Sequence, residues 1–270
     1  MKVTQLTAVA GKTIYRSIKA SSGNHKGPRA HRFNPSKETV MKNNDRLAVR
    51  NLHLLLNANF KHGDLHVTLT YKNAPGVKEA KKDRKDFLRK LRLAMRKESK
   101  ELKYVAVTEY ENKRIHHHIV INHFDVVKIA EIWGKGFVEP TVLDDSGDYK
   151  DLAEYLIKET QKTFRKEGSM YKRRYAASQN LTRPVIKSEE VDVSKLFEDP
   201  RPISGYSVIE ETVRRFEHPV TGLEHIEFFM VAVDEPRRYK TWPRGKTVSD
   251  NERFKYEKEE QQDIFDAVPF

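Results

Sequence analysis

Apolar positions along residues 35–166 alternate between two spacings. Apolar residues recurring every three or four positions predict a helix opened by Pro35 and Ser36 and running through Leu56, with Val40, Leu47, Leu52, Leu55 and Leu56 among its apolar positions and Arg46 and Arg50 one turn apart. Residues 65–71 (LHVTLTY) alternate and predict a strand. After Asn73-Ala74-Pro75-Gly76, helical spacing returns over residues 77–97, where Phe87, Leu88, Leu91 and Met95 can face a core. Two further alternating runs, 104–110 and 115–122, flank residues 111–114, which read as a hairpin turn. A short helix at 126–133 leads through Gly134-Lys135-Gly136 into a strand at 137–142, and another helix begins near Asp148, with Ser146 or Asp148 as its cap.

In order, residues 65–142 read strand, helix, strand, strand, helix, strand. That split βαβ order predicts an α+β fold: a ferredoxin- or RRM-like antiparallel sheet with flanking helices on one face. Outside it the pattern weakens. Residues 1–35 read as an arm, 184–202 as a linker, 206–217 and 224–233 as a β-hairpin extension, and 235–270 as a polar, partly disordered tail. The expected organisation is an arm and helix (1–62), a core (63–185) and an acidic linker, β-hairpin and tail (186–270).

Candidate chemistry sits in the second hairpin strand. Side chains alternate across a strand, so His116 and His118 share one face and His117 joins Ile115, Ile119 and Ile121 on the other. With Asn112 and Lys113 as a two-residue loop, Glu109 lies opposite His116, Val107 opposite His118 and Val105 opposite Val120. One face then carries Glu109, His116 and His118. Two imidazoles and a carboxylate suit a divalent ion with open positions, Mn²⁺ or Mg²⁺ rather than a closed structural zinc.

Charge points to the substrate. The chain carries +12, yet residues 186–270 hold 13 Lys and Arg against 19 Asp and Glu, a balance of −6 that leaves +18 on residues 1–185. A positive field around a metal site favours a polyanion, and nucleic acid is the common one. The helix at 77–97 is the expected backbone-binding surface, through Lys81, Lys85, Arg89 and Arg92, with Lys162, Arg173 and Arg174 beyond it. Tyr and Arg residues of the arm are expected to stack on bases. There are no cysteines, which excludes disulfides and thiolate catalysis, and Leu6 stands where a P-loop around Gly11-Lys12-Thr13 needs glycine. No apolar run reaches membrane-spanning length, so the expectation is a soluble, cytoplasmic protein.

The helix after Asp148 supplies a nucleophile. Tyr149, Ala153, Leu156, Ile157, Thr160 and Phe164 cluster on one side, while Tyr155 falls off that stripe beside Lys158 and Lys162, which predicts a basic neighbourhood able to stabilise a phenolate. The alternative is an amphipathic tyrosine lying over the helix surface.

Taken together these residues resemble the HUH endonuclease superfamily. His116 and His118 stand in its histidine positions with His117 in the intervening slot, Thr68-Leu69-Thr70-Tyr71 looks like its first motif, and Tyr155-Leu156-Ile157-Lys158 is similar to its Tyr-x-x-Lys motif. Residues 172–181 (KRRYAASQNL) resemble a segment found after the active site in replication proteins of phages and mobile elements. The resemblance covers roughly residues 45–185. It implies a rolling-circle replication initiator that nicks and rejoins single-stranded or melted origin DNA through a 5′-phosphotyrosine, with Tyr155 as nucleophile, Lys158 orienting the phosphate, and a host helicase and polymerase as partners. His117 departs from the usual bulky apolar residue and is expected to pack opposite Thr108. A second tyrosine one turn on is replaced by Glu159, which implies a single-tyrosine enzyme unless Tyr171 or Tyr175 substitutes. The rivals are a non-catalytic DNA-binding regulator, with the histidines serving structure, and a related transposase or relaxase.

Overall fold

The alternating runs form two antiparallel sheets in a computed structural model, which describes residues 2–21, 38–110, 114–164, 173–217 and 223–233. The strands are β1 (Lys2–Ala10), β2 (Thr13–Ser21), β3 (Leu65–Leu69), β4 (Tyr104–Glu109), β5 (His116–Ile121), β6 (Val138–Val142), β7 (Ala176–Ala177), β8 (Val185–Val191), β9 (Tyr206–Val208), β10 (Arg214–Glu217) and β11 (Glu224–Ala232). The helices are α1 (Glu38–Asn57), α2 (Val77–Lys97), α3 (Val126–Trp133) and α4 (Lys150–Phe164).

Residues 65–142 form the α+β core that their order predicts. Its sheet runs β6-β3-β5-β4, with β7 added at the β4 edge. Leu65, Val67, Leu69, Ala106, Ile119 and Ile121 pack with Phe87, Leu91 and Met95 of α2 and Ile129 and Trp133 of α3. The expectation of helices on one face needs correcting, because α1 and α4 cover the other. There Val105, Val107 and Val120 meet Leu52, Leu55 and Leu56 of α1 and Ala153, Leu156 and Ile157 of α4. The reason is in β4 and β5: both bury apolar side chains on both faces, and such strands need cover on each side.

The segment read as an arm is a regular hairpin. β1 and β2 pair from Lys2↔Ser21 to Ala10↔Thr13 and lie inside the second sheet, ordered β10-β11-β2-β1-β8 with β9 also on β11. β8 occupies the segment read as a linker and pairs with β1, while β11 pairs with β2. The extension read as one long hairpin strand at 206–217 is interrupted by a 3₁₀ turn at Glu210–Thr212. Its loop at 218–222 and the tail at 235–270 lie outside the described residues. Gly11 fits the hairpin tip for two reasons: its φ is +57°, and a Cβ there would sit 2.1 Å from the Asn57 carbonyl oxygen of α1.

Polar contacts fasten the second sheet to α1. Glu227 of β11 pairs with Arg46 and accepts a 2.9 Å hydrogen bond from the Tyr15 hydroxyl, which in turn accepts from Arg50 at 3.1 Å. Tyr15 is 1% exposed and is therefore not available to stack on bases, contrary to the expectation for the arm. Nor does Asp148 cap α4. Its carboxylate pairs with buried His53 of α1, and the Asn57 side-chain oxygen instead receives the Tyr149 N–H at 3.0 Å.

Burial pushes the Asp148 carboxyl up, but the hydrogen bond and charge of His53, the Asn57 amide and Lys150 outweigh it and hold the group below its usual 3.8. A depressed carboxyl contributes stability above its unfolded value and loses it as pH falls through the folded one. Asp148→Ala leaves His53 and Asn57 unpartnered and should cost about 2–3 kcal/mol at neutral pH. Urea unfolding should show the wild-type advantage over Asp148→Ala shrinking below about pH 4. An advantage that is constant from pH 7 to about pH 3 would contradict this account. Among the described residues, no helix is long and apolar enough to cross a membrane.

Candidate active site

The hairpin register brings the expected donors together: Glu109 faces His116, Val107 faces His118 and Val105 faces Val120. The loop residues Asn112 and Lys113 lie outside the described residues. Glu109, His116 and His118 offer ligand atoms that all lie within 4.8 Å of one another. They form the one metal-capable group of three found among the described residues.

Hydrogen bonds orient both imidazoles. His116 Nδ1 is 2.8 Å from the Arg114 carbonyl, which can only accept, so Nδ1 carries the proton and Nε2 keeps a lone pair. That lone pair lies 2.8 Å from Glu109 Oε2. Two acceptors this close are stable around a shared cation and repulsive without one, which is how the donor set fits a divalent ion. His118 Nδ1 is 3.3 Å from Thr68 Oγ1 on β3, leaving Nε2 toward the same cluster. Burial, and then His66 and His116, push His118 down to about 3, which keeps it in the neutral, ligating form.

Tyr155 completes the site from α4. Its hydroxyl is 3.2 Å from His118 Nε2, and its ring packs edge-on against that imidazole at 5.1 Å. Tyr155 is 40% exposed, while Tyr149, Ala153, Leu156, Ile157 and Thr160 of the same helix are buried, as their spacing predicts. The predicted basic neighbourhood is corrected. Burial raises the Tyr155 phenol above its usual 10, and Glu159, Glu109 and Glu139 push it further in the same direction. Helical spacing correctly put Lys158 next along the surface, but the ring turns to the sheet, where carboxylates face it. A cation among these carboxylates would oppose their field. Lys158 is exposed one turn along from Tyr155.

Two site residues escaped the sequence reading. His66 stacks on His118 at 5.5 Å and lies edge-on to Tyr155 at 6.2 Å, and burial holds it down to about 4, hence neutral. Alternation in 65–71 puts His66 on the face of Thr68, a signal available once that face is known to carry the site. Glu139 pairs opposite Thr68 across β3 and β6, a register that no local pattern encodes.

His117 occupies the opposite face, fully buried and paired with Thr108. Arg84 donates to Thr108 Oγ1 at 2.9 Å, the Thr108 hydroxyl lies 2.8 Å from His117 Nδ1, and His117 Nε2 lies 2.9 Å from the Tyr71 hydroxyl. Consistent donors require Thr108 to donate to Nδ1 and Nε2–H to donate to Tyr71. His117 is thus a structural histidine, held neutral at about 3 chiefly by burial. Its hydrogen bonds brace the underside of the strand whose other face carries the metal donors.

The basic candidates divide. Lys85 and Arg89 are exposed on α2 and Lys81 and Arg92 half-buried, all on one flank of a helix that packs on the face opposite the metal donors. Arg173 is exposed, Arg174 is committed to an ion pair with Asp45, and the Lys162 side chain lies outside the described residues. Tyr171 does too, and Tyr175 packs against the α1–α4 core.

Comparison with known proteins adds one positive finding. No curated protein and no solved structure matches the chain significantly. Residues 64–164, the span that holds Thr68, Glu109, His116, His118, Tyr155 and Lys158, match the family model of the ORF2-type replication-associated proteins.

Proposed function

We propose that the chain is a rolling-circle replication initiator that nicks and rejoins one strand of origin DNA through Tyr155. The observation that carries this reading is the Tyr155 hydroxyl 3.2 Å from His118 Nε2, which puts a nucleophile at the edge of a three-donor metal cluster. A family match to replication-associated proteins over the same residues supports it. Glu109, His116 and His118 would hold Mn²⁺ or Mg²⁺, which would polarise the scissile phosphate as a Lewis acid.

Tyr155 performs the covalent step. Its phenolic oxygen attacks phosphorus, the bond from phosphorus to the 3′ oxygen breaks, and the phenolic proton ends on that oxygen. The products are a 5′-phosphotyrosine and a free 3′-hydroxyl for a polymerase to extend. One phosphodiester replaces another, so a second transesterification reseals a strand without ATP. Lys158 orients the phosphate and offsets charge developing on it. Strand access requires single-stranded or melted DNA, and unwinding falls to a host helicase.

The deciding experiment incubates purified protein with single-stranded origin DNA and Mn²⁺ or Mg²⁺, then denatures. An adduct that survives denaturation, and that chelation prevents, supports the enzyme. Binding without an adduct supports a DNA-binding regulator. Joining of unlinked target strands would instead favour a transposase. Independently of chemistry, the +18 of residues 1–185 predicts steep salt dependence. Log affinity should fall linearly with log salt by about 0.7 per phosphate neutralised on single strands and about 0.9 on duplex. A near-flat slope in a binding titration would make the basic surface a solvated face only.

A further inference from the structure

The basic flank of α2 leads to a groove outside the candidate active site. Arg92 and Arg96, one turn apart, form one wall of a cavity of about 610 Å³. Tyr104, Ser178, Gln179 and Asn180 stand on the other side, with Glu101 at the rim. Among the described residues neither guanidinium has an ion-pair or hydrogen-bond partner, so both keep their donors for a ligand. The far wall is built rather than loose. Ser178 N–H donates to the Tyr104 carbonyl at 2.9 Å, Tyr104 N–H donates to Ser178 Oγ at 3.0 Å, and Asn180 donates to the Leu102 carbonyl at 3.2 Å. Asn180 also engages the Glu101 carboxylate at 3.4 Å, which offsets the one acid in the groove.

The groove lies in line with the site. Arg84 meets Thr108, one residue from Glu109, so the first half of α2 sits at the metal end of β4, and Arg92 and Arg96 reach the Tyr104 end. Glu109 and Tyr104 are five steps apart on one strand, about 17 Å. Lys85, Arg89, Arg92 and Arg96 mark that distance on one helix flank. Guanidiniums recognise phosphate, a tyrosine offers a stacking face, and amides and a hydroxyl suit a base edge or sugar.

We infer that this groove binds the DNA backbone flanking the nick, taking a phosphodiester on Arg92 and Arg96 and its nucleotide against Tyr104 and residues 178–180. The inference rests on the proposed DNA-nicking role, but its test is separable from it. The groove lies about five nucleotides from the metal donors at the 3.4 Å spacing of a stacked strand.

The test uses the full chain in a Tyr155→Phe background, where affinity is read without chemistry, and labelled oligothymidylates of increasing length as probes. Affinity should climb until the probe spans both regions. Arg92→Gln with Arg96→Gln should remove the last increment, about tenfold, and make the salt slope shallower by about 1.4 for two phosphates. Gln179→Ala, on the opposite wall, should weaken only the long probes. Circular dichroism and thermal unfolding establish that each variant is folded. Length profiles and salt slopes identical to the parent's in both variants would overturn the groove, whatever the nicking assay shows. Absence of an adduct in the wild type, with the length effect intact, would overturn the nicking role and leave the groove standing as a DNA site.

Discussion

His116→Ala and His118→Ala should each abolish metal-dependent nicking while retaining most DNA affinity. Each removes one of three donors whose ligand atoms lie within 4.8 Å of one another, so the remaining pair no longer encloses an ion. Lewis-acid stabilisation by a bound metal amounts to several kcal/mol, so the nicking rate should drop by about a thousandfold or more. DNA affinity comes mostly from Lys and Arg contacts to phosphate and should change by less than about threefold. Calorimetric titration with Mn²⁺ adds a direct readout, in which both variants should lose binding. Either variant cleaving at the wild-type rate with a normal metal requirement would refute the assignment. The two need not be equal in stability. His118 is almost fully buried and bonds Thr68, whereas the His116 partners lie nearer the surface, so thermal unfolding of both must accompany the rates.

Tyr155→Phe should eliminate the covalent adduct and leave the fold intact. The substitution removes one hydroxyl from a residue already 40% exposed, together with its contact to His118, which should cost under about 1 kcal/mol. No neighbour can take over the chemistry on α4. The place one turn later is Glu159, whose attack would give an acyl phosphate rather than a phosphotyrosine. Tyr175 packs against the α1–α4 core, where burial raises its phenol, the wrong direction for a nucleophile. With one nucleophile, each protomer holds one DNA end, and closing a replicated circle requires a second protomer or a hydrolysis step with Glu159 as base. Peptide mapping of the trapped adduct is decisive: attachment at Tyr171 or Tyr175, or an adduct persisting in Tyr155→Phe, identifies another tyrosine.

Local periodicity determined the core elements and half of the site. Residues 77–97 and 126–133 became α2 and α3 with those bounds, because helical spacing and the flanking glycines are local signals. The face shared by Glu109, His116 and His118 followed from alternation plus a two-residue loop, which sets register without reference to the rest of the chain. Tertiary structure decided what depends on distant partners. β1 and β2 pair with β8 and β11, nearly the whole chain away in sequence, so their pattern alone could not distinguish a central hairpin from an arm. The carboxylates facing Tyr155 come from three separate elements, and no single-helix projection could show that they, not Lys158 and Lys162, set its electrostatics. The partners of His117 likewise come from Arg84, Thr108 and Tyr71 on other segments, which is why three consecutive histidines divide into two metal donors and one structural residue. Sequence determines which way each side chain points along its own element; packing of elements remote in sequence determines what it meets there.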